Sequence, residues 1–516
     1  MLKFIKIFLF LFSAIVCYKI IAPIYQNIIP VAESLDTCFK SLSPGIGDNS
    51  IWQLFTSNTH FYIFLSVINV FTQRYLPEII NIHPIECMEK YTNFFLFTCI
   101  YFLVLVFVQN FLKYLNIKNK IFYISTPLLG IPIFLLILSF LQQLFFQWVL
   151  LNDVWFYAYI LLPAIAMTLF YEFEKYYVLN KKNTKRQIII FCCLLLINAF
   201  SNEYFRFVIC FGLLFGFCLH WFFINRSVNK SKFFLTWLFI SILNSLTFLT
   251  PNFKNWYFFN NNDYNALTLI NKIPQMIKSY WHFTFEENIL LLLIIAIFSI
   301  AIVKFVKNKE QNKRLLIFFT TIILSMIIFL IAINIGTLKY YNLDFTFEHQ
   351  GIRIITKYLL LYLVLSLSGY LLQYGEKEGK IIAIAPLIFL ICCSVCNKNI
   401  FNFEEITKEA LTNKRKIYIM ERCFVETGKK NKIFYQYNRS WPATIGGLSL
   451  RYLLNLYDRN SNVEDYQTVF VCEENDNNEI CEIKMKKRIK QNSNYIFSEE
   501  ELSQLDFSVY KKYMWY

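Results

Sequence analysis

The sequence predicts an all-α polytopic membrane bundle of about eleven transmembrane helices, followed by a small α/β domain at its C-terminal end. Three observations carry that class. Of 516 residues, 56% are hydrophobic and only 16% charged, against roughly 25% charged in an ordinary soluble domain. The apolar residues gather in runs of about 20, the length a helix needs to cross a hydrocarbon core. The connections between those runs are alternately rich and poor in lysine, which sets an orientation across the bilayer.

Residues 1–23 place Lys3 and Lys6 ahead of an apolar run that no small-x-small cleavage site follows, so they read as a first span with a cytoplasmic N-terminus. Residues 24–89 then form a large first outer loop. Within it, residues 61–76 are apolar but only about 16 long and are interrupted by Asn69, Gln73 and Arg74, which suits an interfacial helix better than a span. Spans at 91–112 and 122–140 flank a turn whose Lys113, Lys118 and Lys120 mark the cytoplasmic side. A span at 153–172 runs into Lys175, Lys181, Lys182, Lys185 and Arg186. Spans near 187–202, 206–224 and 233–250 follow, the last leading to an outer loop of about 35 residues. Spans 288–306 and 315–336 enclose the basic KFVKNKEQNKR, and spans 353–374 and 381–397 enclose YGEKEGK. The membrane domain is therefore 1–397.

An odd number of spans leaves residues 398–516 on the outer face of the inner (plasma) membrane. This segment is charged, with strand-like runs RKIYIM, KIFYQY and TVFVCEE and a helical stretch GLSLRYLLNLYDR, enough for an α/β domain with its own core. Cys472 and Cys481 flank a turn-rich centre in VCEENDNNEIC; an oxidising compartment would let them form a hairpin disulfide, and a reducing one would leave two thiols. Most other cysteines lie inside spans, where a thiol is a small apolar group. With 13 glycines in the chain there is no glycine-rich phosphate loop, which argues against ATP-driven transport by this chain alone. No cysteine–histidine set has zinc spacing, and the pattern calls for a lipid bilayer and no nucleic acid as partner.

Chemistry-bearing residues concentrate on the predicted outer face. The first loop carries Glu33, Asp36, Asp48, His60, Glu78, His83, Glu86 and Glu89 against only Lys40 and Arg74, in a chain of formal charge +15. Glu203, Glu348 and His349 lie at the same level, with Arg206 and Arg353. Each is readable as a solvated loop charge; together they are the mix that deprotonates a hydroxyl and holds a phosphate. Glu203 lies between two apolar runs in INAFSNEYFRFVIC, close to membrane depth, where it is either functional or paired with Arg206 three residues on. Glu33 and Asp36, also three apart, would share a helical face and divide the roles of base and metal ligand. His60, directly ahead of the interfacial segment, is readable as structural or catalytic.

This arrangement resembles the GT-C class of integral membrane glycosyltransferases: a cytoplasmic N-terminus, an acidic first outer loop with an interfacial helix, about eleven spans, and a C-terminal outer domain. The first loop departs from the class in having Glu33-x-x-Asp36 rather than two adjacent acidic residues, and the Trp52–His60 segment also looks like that of bacterial proteins sharing this layout. The resemblance implies a polyprenyl-phosphate-sugar donor, a glycan, lipid or protein acceptor, and inverting transfer. Asp36 or Glu33 would be the base, with His60 beside them. Glu203, Arg206, Glu348, His349 and Arg353 would bind substrate, the arginines at the departing phosphate. A divalent metal is compatible with these carboxylates but not required by them. Two other classes remain open. A polysaccharide polymerase or ligase would centre its arginines and histidines on a large late loop, whereas 337–352 is short; a lipid-glycan flippase would carry charges inside several spans.

Overall fold

The computed structural model describes residues 2–25, 75–82, 84–144, 160–179, 286–337, 346–396, 424–437 and 465–471, with isolated positions at 193, 274, 421, 453, 454, 457, 458 and 461. The helices are α1 Leu2–Tyr25, α2 Leu76–Ile80, α3 Pro84–Leu112, α4 Lys120–Ser125, α5 Gly130–Leu144, α6 Leu162–Leu179, α7 Ile289–Phe305, α8 Lys309–Thr337, α9 Thr346–Tyr374 and α10 Lys377–Cys396. Among the described residues, five segments are long and apolar enough to cross a membrane: Leu2–Ala22, Asn93–Leu112, Lys120–Phe140, Arg353–Tyr374 and Lys377–Cys396. The spans expected near 187–202, 206–224 and 233–250 lie, save for Cys193, outside the described residues.

Several boundaries differ from the sequence expectation. The span read as 122–140 is built in three pieces, because Pro127 opens a 3-10 turn at Thr126–Leu129 between α4 and α5. Asn119 starts α4 by accepting the amide of Ile121, a side-chain cap. Pro77 sits in the first turn of α2, where its missing N–H costs nothing. The span expected to stop at 172 continues as α6 to Leu179. The loop read as 337–352 is helical from Thr346 onward.

The centre of the bundle is α9. Its residues 354–371 are all buried, and it packs against α3, α5, α6, α7 and α10. Between apolar helices in lipid there is no hydrophobic gain from association, so close approach and hydrogen bonds hold them together. Gly369 supplies the close approach: a Cβ there would collide with the carbonyl oxygen of Phe111 in α3. Polar ties supply the rest. Asn110 donates to the carbonyl of Tyr362 at 2.7 Å. Asn312 donates to the carbonyls of Ile302 and Val306, capping the open end of α7, and accepts from Tyr370 at 2.8 Å. α1 and α10 lie at the periphery, with long rows of exposed apolar side chains.

Contacts fix the helix directions. Phe107 meets Tyr358 and Tyr114 meets Tyr370, so α3 runs with α9. Phe170 meets Tyr362 and Glu174 meets Ser366, so α6 does too. Glu287 pairs with Arg353 while the carbonyl of Phe305 accepts the amide of Glu376, which sets α7 in the same sense. α1 opposes α3, with Phe10 on Tyr101 and Tyr18 on Phe97. α10 opposes α9 through Ser368 and Ala383.

In the C-terminal segment, β1 Ile433–Tyr437 pairs in parallel with β2 Gln467–Val471, Ile433 facing Gln467. Parallel strands need a long crossover, and helical positions Leu453, Leu454 and Tyr457 lie within it. Lys432, in left-handed conformation just before β1, donates to Asp458 at 2.8 Å and to Ser461. The hydroxyl of Tyr466, just before β2, donates to the same carboxylate at 2.7 Å, and Phe424 stacks on the Tyr466 ring. The hydrogen bonds from Lys432 and Tyr466 hold the Asp458 carboxyl well below the usual range. Burial, then the bond to Asp458, pushes the Tyr466 phenol up to about 12.

Candidate functional site

The functional residues expected from sequence fall into two groups. Glu33, Asp36, His60, Glu203, Arg206, Cys472 and Cys481 lie outside the described residues, as do all but the last two residues of the interfacial segment. Glu348, His349 and Arg353 all lie on the first turns of α9, with no loop between them.

Arg353 and Lys357 are spaced by four, so the helix carries them on one stripe. Arg353 is not a solitary cation. Its Nε and Nη2 grip the two oxygens of Glu287 at 2.8 and 2.7 Å, a two-point fork that fits carboxylate or phosphate geometry. Glu287 comes from the turn that opens α7, so this pair ties two helix beginnings together. One turn deeper, Lys357 is 6% exposed, its ammonium 6.0 Å from the Phe140 ring of α5. Two cations and one carboxylate thus meet at the boundary of the apolar stretch, the outer one about a quarter exposed and the inner one enclosed. Such a cluster can hold anionic oxygens that enter from the exposed side.

Sequence reasoning passed over Glu287 and Lys357. Lys357 had a usable signal, an ammonium within an otherwise apolar run, where a charge is costly enough to be functional by default. Glu287 had none, since an acidic residue ahead of a span reads equally well as solvated.

A second buried cluster lies in the other half of the bundle and corrects the reading of Lys113. From sequence that lysine is one of three that mark a cytoplasmic turn, with no partner assigned to it. Instead its side chain and that of Glu174 are fully enclosed and ion-paired. Glu174 also accepts from the hydroxyls of Tyr114, Ser366 and Tyr362, the last at 2.6 Å. Lys113 in turn donates to Asn110 and lies 3.4 Å from the Tyr362 hydroxyl. An enclosed ion pair persists only when its remaining hydrogen bonds are met in this way, and this one joins α3, α6 and α9. With every carboxylate oxygen engaged, it is a clamp rather than a binding site.

Among the described residues, no group of three or more His, Cys, Asp or Glu is placed to hold a metal ion. Compared with known proteins, the chain matches no family model, no curated protein and no solved structure.

Proposed function

We propose that the chain is an integral membrane glycosyltransferase that moves a sugar from a polyprenyl-phosphate carrier to a glycan, lipid or protein acceptor. The observation that carries this reading is the Glu287–Arg353 fork with Lys357 enclosed one turn below it. A lipid-linked donor has its apolar tail in the bilayer and its phosphate at the boundary, the level at which these cations lie. The phosphate would compete with Glu287 for the guanidinium of Arg353 and approach Lys357 from the exposed side. In the transfer, the acceptor hydroxyl oxygen bonds to the anomeric carbon while the bond from that carbon to the phosphate oxygen breaks. The phosphate keeps the electron pair, and Asp36 or Glu33 takes the hydroxyl proton. Arg353 and Lys357 meet the charge that grows on the leaving group, which is where fixed cations lower a barrier.

The buried Lys357 also favours a second reading, since a lipid-glycan flippase needs a charge within its spans. Purified protein supplied with a polyprenyl-phosphate-linked radiolabelled sugar and a glycan acceptor separates the two, because a flippase moves the donor without cleaving it. Transfer should fall by about 10²-fold or more in Arg353→Gln and Lys357→Met, and by a similar factor in Asp36→Asn. Wild-type transfer rates in all three, with the melting temperature unchanged, would overturn the proposal.

A further inference from the structure

The end of the bundle away from Arg353 gathers lysines from four separate connections. Lys6 lies over the ring of Tyr123, which brings the start of α1 against α4 and so beside Lys118 and Lys120. The amide of Asn116 donates to Gln373, joining that turn to the end of α9, and Lys377 and Lys380 follow in the first turn of α10. The amide of Glu376 reaches the carbonyl of Phe305 and its carboxylate pairs with Lys307, which adds the end of α7 and the Lys309 that opens α8. The side chains of Lys3, Lys118, Lys120, Lys309, Lys377 and Lys380 are all exposed. Among the described residues at this end, Glu310 pairs with Arg314 and Glu376 with Lys307, which leaves Glu378 against the six exposed lysines.

Each lysine group stands at the foot of an exposed apolar stripe. Lys3 precedes Phe4, Ile7, Phe8 and Leu11 on α1, with Phe4 79% exposed. Lys380 precedes Ile381, Ile384 and Ile388 on α10, with Ile381 60% exposed. On α7, Val303, 68% exposed, lies four residues before Lys307. Apolar stripe and cationic foot together match an amphiphile with acyl chains and a negative headgroup. A soluble acidic protein would satisfy the lysines and leave the stripes uncovered.

We propose that this collar of lysines is a docking surface for anionic phospholipids, which bind with their headgroups on Lys118, Lys120, Lys377 and Lys380 and their acyl chains against α1 and α10. The inference is independent of the transferase reading.

The full chain in zwitterionic detergent is offered phosphatidylglycerol or phosphatidylcholine, and retained lipid is read by native mass spectrometry. Phosphatidylglycerol should be retained at least about tenfold better, with retention falling roughly fivefold for each lysine changed to glutamine among those four. Lys90→Gln, an exposed lysine near the start of α3 at the opposite end, should change nothing. Equal retention of both lipids by the unaltered protein would overturn the proposal, and this arm needs no variant to fold. So would unchanged retention in the fourfold variant, or an equal loss in Lys90→Gln. Polyglutamate binding as tightly as phosphatidylglycerol would assign the collar to an acidic protein instead.

Discussion

Arg353 and Lys113 are both cations at the end of an apolar run, yet their surroundings make them different chemical objects. Lys113 has a carboxylate, an amide oxygen and a phenol around it and no contact with solvent, so its charge is fully committed. Arg353 forks the Glu287 carboxylate where its side chain is still partly exposed, with a second cation beneath it, so an entering anion can reach the pair. Asp458 in the C-terminal segment shows how one residue can hold a local fold. It receives Lys432 from the start of β1 and Tyr466 from the start of β2. Because its folded pKa lies below the unfolded value of about 3.9, its contribution is complete above about pH 4 and is lost as pH falls through the folded value. Hydrogen exchange of peptides covering 432–437 and 466–471, corrected for intrinsic rates, should show that loss of protection on acidification. Asp458→Asn should be unprotected already at neutral pH, and full protection in that variant would remove the assigned role.

Among the helices, the Glu174 clamp and the Gly369 crossing act on the same neighbours of α9. Gly369 lets α3 and α9 touch at their backbones, which brings Lys113, just past the end of α3, within reach of the carboxylate that α6 presents. Breaking one side of an enclosed pair strands a charge, so Glu174→Gln or Lys113→Met alone should destabilise by about 3–5 kcal/mol. Removing both charges together, as Lys113→Met with Glu174→Met, should cost less than the sum of the two, since neither charge is then stranded. Thermal melting of the four proteins in one detergent forms the cycle. Additive losses would show that the two side chains do not act as a unit.

At the level of the whole molecule, α3, α6, α7 and α9 run in one sense and α1 and α10 in the other, with the lysine collar at one end and the Arg353 stripe at the other. The preference of short basic connections for the cytoplasm gives the expectation to be tested: collar inside, residues 398–516 outside. A reporter fused after residue 400 should be active only if the reporter requires the extracytoplasmic side. Activity of a cytoplasm-only reporter at that point would reverse the whole arrangement, the transferase reading included, because the donor phosphate site would then face inward.

Membrane class, the location of the described spans and the segments that form β1 and β2 were all legible from residue order. Each depends on a local property: hydropathy summed over about 20 residues, or a short run of aromatic and β-branched residues, survives whatever the rest of the chain does. The extent of α6 and the fate of Lys113 were not legible, because a charge at the end of an apolar run is compatible with water or with a partner. The partners came from far along the chain, Glu174 lying 61 positions from Lys113 and Glu287 66 positions from Arg353. The central position of α9 is of the same kind, since its hydropathy is lower than that of the peripheral α1 and α10. Apolarity measures compatibility with lipid, and it is shape and hydrogen bonding between helices that decide which of them lipid touches.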